Sequence, residues 1–137
     1  MIKIKIEIHT LAGQLDIEIK RNENSYFLLV ILSTSQYFKE NGKVWSGKII
    51  RTEKLFEIIN LIKECYRKPS VATKKTILDG TLRKISFRDE ESQIALRLID
   101  IDENTNEYEL LQSIKELIND VTGNNTTLQY YLDDFIG

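Results

Sequence analysis

Ile2-Lys3-Ile4-Lys5-Ile6-Glu7-Ile8 alternates apolar and charged residues without a break, and Leu15-Asp16-Ile17-Glu18-Ile19 resumes the alternation after a short connection. Successive side chains of a strand point to opposite faces, so the pattern predicts two half-buried strands, isoleucines inward and charges outward. Leu11-Ala12-Gly13 is short enough to join them as an antiparallel hairpin. Setting Ile8 against Leu15 brings Ile6 opposite Ile17, Ile4 opposite Ile19 and Lys5 opposite Glu18.

Working outward, Tyr26 to Ser33 is apolar on both faces and predicts a central strand covered on both sides. Asn41-Gly42, between two β-prone runs within Gln36 to Lys48, predicts a second hairpin through a type I′ turn. From Thr52 the period changes to helical. Leu55, Phe56, Ile59, Ile62 and Tyr66 share one face, Thr52 is the expected N-cap and Pro69 lies just past the end.

Leu78-Asp79-Gly80-Thr81 then turns the chain into strands over about Leu82 to Arg88 and Gln93 to Ile99, joined at Asp89 to Ser92. A second amphipathic helix is expected from about Glu107 to Val121, with Leu110, Leu111, Ile114, Leu117, Ile118 and Val121 inward and Gly123 as its C-cap. A short helix, about Thr127 to Phe135, closes the chain. This order predicts a single α+β domain over residues 1–137: a largely antiparallel sheet of about five to seven strands against two amphipathic helices and a short C-terminal helix.

With 137 residues, 42% of them apolar and 29% charged, the chain is long enough to bury a core without a disulfide or metal staple. Cys65 is the single cysteine, which removes internal disulfides and multi-cysteine zinc sites. The longest apolar run, Tyr26 to Leu32, is too short to cross a bilayer, and the alternating start is unlike a secretory leader, so a cytoplasmic protein is expected.

Charge divides sharply along the chain. Residues 1–88 carry 17 Lys and Arg against 9 Asp and Glu, whereas residues 89–137 carry 2 against 12. Such asymmetry points to two faces packed together or to a charged surface reserved for a partner.

The chain contains no Walker loop, dinucleotide fingerprint, HExxH or G-x-S-x-G. Asp100-Ile-Asp102-Glu-Asn104-Thr-Asn106 resembles the start of a calcium loop, but Thr105 stands where an EF-hand needs glycine and Leu111 where it needs a bidentate glutamate. These residues read instead as an acidic strand-to-helix connection, with Asp102, Asn104 and Asn106 available as caps. His9 has no second histidine and an outward phase, and Cys65 lies beside an apolar stripe, so neither carries a catalytic signature; no cofactor is implied.

Two charged groups are the candidate sites. The acidic one comprises Asp100, Asp102, Glu103, Glu107 and Glu109 with Tyr108, extended by Asp133 and Asp134; clustered negative charge speeds encounter with a basic partner, and aromatics such as Tyr108, Tyr130 and Tyr131 anchor it. The basic one comprises Lys63, Arg67, Lys68, Lys74, Lys75, Arg83, Lys84 and Arg88, which would contact phosphates in a nucleic-acid-binding regulator. A small enzyme with a scattered site, and a homo-oligomer pairing opposite charge blocks, are the remaining alternatives.

Element order over about residues 50–121, with the Leu78-Asp79-Gly80-Thr81 turn, resembles small bacterial immunity proteins of polymorphic-toxin systems. Such sequences often carry an aromatic after the turn, where this chain has Leu82, and an Asn- or Pro-containing approach to the last helix, where this chain has no proline. The resemblance implies a non-enzymatic cytoplasmic protein that neutralises a cognate toxin. An acidic surface would then occlude a basic toxin site.

Overall fold

In the computed structural model the described residues are 2–10, 13–34, 42–69, 81–98, 101 and 103–136. Six strands, β1 (Lys3–Thr10), β2 (Gly13–Asn22), β3 (Ser25–Thr34), β4 (Lys43–Ile49), β5 (Leu82–Arg88) and β6 (Gln93–Leu98), form one sheet in the order β4-β3-β2-β1-β5-β6. Every neighbouring pair is antiparallel. Three helices, α1 (Thr52–Arg67), α2 (Asn106–Thr122) and α3 (Thr126–Phe135), complete an α+β fold.

The β1–β2 hairpin has the register its alternation dictates, with Ile8 opposite Leu15, Ile6 opposite Ile17, Ile4 opposite Ile19 and Lys5 opposite Glu18. Ile4, Ile6 and Ile8 are fully buried, each contributing about 1.5–3 kcal/mol relative to exposure. β5 pairs with the other side of β1, setting Phe87 beside Ile4 and Ile85 beside Ile6. All these residues belong to the core on the face covered by α1 and α2.

The expectation for β3 is corrected. Leu28, Val30 and Leu32 are buried, but Phe27 is 40% exposed and Leu29 and Ile31 are only half-buried. Helices cover one face of the sheet, so the second apolar face of β3 opens to solvent. β4 pairs directly with β3, Lys43 opposite Leu32; Asn41 and the strand expected before it lie outside the described residues.

The buried stripe of α1 is also rotated from expectation. Leu55, Ile58, Ile59, Ile62 and Cys65 face the core, while Phe56 and Tyr66 are 46% and 59% exposed. Both sets have helical spacing, and the landing of α1 on the sheet selects between them. Phe56 instead meets Tyr26 edge-on, ring centroids 6.3 Å apart. Thr52 is the first helical residue rather than the cap, and Arg51 occupies the cap position without a side-chain cap bond.

At α2 the Thr105 hydroxyl accepts from the Tyr108 N–H, so Thr105 is the cap in place of Asp102, Asn104 or Asn106. Gly123 ends α2 in the left-handed region, φ 69°, where glycine carries no Cβ penalty. The β5–β6 turn is tied by Asp89, whose carboxylate accepts from the backbone N–H groups of Glu91 and Ser92; those bonds hold it below the usual aspartate range. No helix among the described residues is long and apolar enough to cross a membrane.

Candidate partner-binding surface

The acidic candidates do not form one surface. Glu107 is 8% exposed and turns inward, where it accepts a hydrogen bond from the Cys65 thiol. This corrects its expected place on the acidic face. Burial, followed by the Glu107 charge, pushes the Cys65 thiol up to about 12, so Cys65 is a protonated core residue rather than a nucleophile at neutral pH. Asp133 is exposed but ion-paired with Lys115 of α2. Asp100 and Asp102 lie outside the described residues, as does the side chain of Asp134.

What remains open is the first turn of α2 and the exposed arc that follows it. Glu103, Tyr108 and Glu109 are exposed. Helical spacing continues the side of Glu109 with Glu116 and Asp120, which reach the neighbouring α1. Lys54 Nζ lies 2.9 Å from Glu116 Oε2, and Arg51 Nη1 lies 3.3 Å from Asp120 Oδ2. The basic and acidic halves of the chain therefore meet along the α1–α2 contact. Lys115, the one base in α2, pairs with Asp133, and among the described residues no ion pair reaches Glu103 or Glu109.

The basic candidates are divided as well. Lys63 lies over the Phe87 ring at 5.6 Å, and Arg67 pairs with Glu64 on exposed α1, followed by exposed Lys68. Arg83, in register with Ile8 and Leu98, lies on the helix-covered side of β5. Lys84 and Arg88 alternate with buried Ile85 and Phe87 and so project from the opposite sheet face. Lys74 and Lys75 lie outside the described residues. The described members of this group are thus neighbours along the chain rather than on one surface.

The uncovered sheet face was missed as a candidate. It carries Lys5, Glu7 and His9 of β1, with Lys5 Nζ 3.1 Å and His9 Nε2 3.7 Å from the Glu7 carboxylate. The Lys5 hydrogen bond holds the Glu7 carboxyl below the usual range, and the same contact raises Lys5. The signal that could have found this face was the β3 run itself: an apolar face with no element left to cover it.

One cleft of about 290 Å³ opens between β4 and α2, with Ile50, Leu117 and Val121 in its walls and Arg51 and Asp120 at its rim. A groove of about 360 Å³ runs over the uncovered sheet face among Glu18, Lys20, Phe27, Leu29, Ser46 and Lys48. His9 and Cys65 line neither. Among the described residues no group of three His, Cys, Asp or Glu side chains is placed to hold a metal ion.

The chain matches no protein-family model and no curated protein.

Proposed function

We propose that this chain is a non-enzymatic, immunity-type inhibitor of the cytoplasm that binds and neutralises a basic protein toxin. The observation that carries the reading is the exposed acidic arc at the start of α2, where Glu103 just ahead of the helix and Tyr108 and Glu109 in its first turn are each exposed and the helix's one base pairs with Asp133. Negative potential on that arc steers a basic partner, and Tyr108, 36% exposed, supplies an amphipathic anchor. Element order over residues 50–121 supports the same class; Leu78, Asp79 and Gly80 of the turn that shares in the resemblance lie outside the described residues.

A nucleic-acid-binding regulator acting through Lys63 to Arg88 has less support, because the described side chains of that stretch fall on α1 and on both faces of β5. Phosphate recognition needs them on one side. Capture with the tagged chain from its native host, with nuclease treatment and washes at low and moderate salt, tests the two readings. A stoichiometric, nuclease-insensitive basic protein supports inhibition; nuclease-sensitive material alone refutes it.

A further inference from the structure

The uncovered sheet face is patterned across the strands as well as along them. From β4 to β1, one row holds Lys48, Phe27, Lys20 and Lys3; the next holds Ser46, Leu29, Glu18 and Lys5; the third holds Val44, Ile31, Asp16 and Glu7. A basic row is thus separated from an acidic one by a mixed row, and β3 and β4 contribute apolar side chains at one end. Phe27 and Val44 are 40% and 61% exposed. Lys3 and Lys48 have no ion pair among the described residues.

We propose that this face is a two-fold interface between two copies of the chain, its axis lying in the contact plane, perpendicular to the strands and over Leu29. That operation keeps each strand over its own copy and reverses the rows. Lys20 then faces Asp16 of the second copy, Lys3 faces Glu7, Phe27 meets Ile31, and Leu29 meets its own counterpart. In the middle row Glu18 meets Glu18 and Lys5 meets Lys5 of the second copy, and Lys20, 3.3 Å from Glu18, and Glu7, 3.1 Å from Lys5, offset those two like-charge contacts within each copy.

A two-fold running along the strands would lay the lysine row and the acidic row each on itself, leaving no Lys–Asp or Lys–Glu contact between those rows to offset the like-charge repulsion. The pattern stops at β5, where Arg88 would meet Lys84. Nucleic acid fits the face less well, because Asp16, Glu7 and Glu18 adjoin the lysines and repel phosphate.

Four strands about 4.8 Å apart and three rows about 7 Å apart cover on the order of 400 Å² per copy, about half of a standard interface. The dimer is accordingly weak, with a dissociation constant on the order of 10–100 µM. It leaves the acidic arc of α2 on the far side of each copy, so it stands independently of the proposed inhibition.

Sedimentation velocity of the full chain, from about 5 µM to about 1 mM, brackets that range. The expected result is a concentration-dependent dimer weakened by salt. Leu29→Lys and Val44→Lys, which place a cation on the axis and against Lys48, each raise the dissociation constant at least about tenfold. Lys20→Asp or Asp16→Lys alone weakens the dimer, and the two together restore it. Circular dichroism checks each variant's fold, and exposed Val44 carries the test if another variant fails to fold. A wild-type chain that stays monomeric to about 1 mM, association unchanged by Val44→Lys, or a charge swap without recovery overturns the proposal. So does a monomer that binds a single-stranded oligonucleotide through Lys20 and Lys48.

Discussion

Gly47 of β4 packs directly against Val121 of α2: a Cβ built on it would stand 2.6 Å from Val121 Cγ1 and 3.3 Å from the Val121 carbonyl oxygen. Glycine is needed here for close approach, and the contact sets the height of α2 above β4. Gly47→Ala should destabilise the fold by about 1–3 kcal/mol, the usual cost of overpacking. Urea unfolding measures it. Adding Val121→Ala removes the Cγ1 clash and should recover part of the loss, whereas an Ala variant as stable as wild type would show that α2 shifts freely.

The β1–β2 register was legible because alternation leaves one solution. A slip of one residue would turn Ile4, Ile6 and Ile8 to water. The stripe of α2 was legible for a related reason, since Leu110, Leu111, Ile114, Leu117 and Ile118 leave its opposite side polar. α1 was ambiguous: Phe56 and Tyr66 share the helical period with Ile58 and Cys65, and only the tertiary contact decides between them. Glu107 was misread because a carboxylate in a first helical turn is ordinarily solvated. It packs inward against Cys65, distant in sequence. The acidic candidate was thus legible in its exposed members, Glu103, Tyr108 and Glu109, and not in its extent.

Cys65 couples stability to alkaline pH. Its thiol, 2% exposed, is raised from 9.0 to about 12, so between those values the folded chain keeps a proton that the unfolded chain releases. The stabilising contribution is complete below pH 9 and is lost as pH rises toward 12, about 4 kcal/mol in all. Urea unfolding at pH 8.5 and 10.5 should show a fall about 2 kcal/mol steeper in wild type than in Cys65→Ala. Equal pH slopes would contradict the raised thiol.

The α1–α2 ion pairs contribute little to folding. Lys54 and Glu116 have side chains 19% and 65% exposed, so solvent screens their attraction. A double-mutant cycle over Lys54→Ala and Glu116→Ala should give a coupling of about 0.2–1 kcal/mol that shrinks with added salt. A coupling well above that range would make the charge division along the chain a folding device.

Glu103 and Glu109 should govern the rate of encounter with a basic partner while leaving the fold unchanged, because both are exposed. Glu103→Gln with Glu109→Gln is expected to lower the association rate several-fold at low salt and to change dissociation little. Glu107→Gln, at a buried position, should act on stability instead.

The most direct measurement is stopped-flow association of the full chain with the protein it captures from its host, at low and physiological salt, for wild type and the Glu103→Gln, Glu109→Gln variant. Inhibition through the acidic arc requires a one-to-one complex that abolishes the partner's toxicity, an association rate that falls with salt, and a variant slower at low salt only. A partner whose activity persists in the complex, or association identical for both chains at every salt concentration, would contradict it.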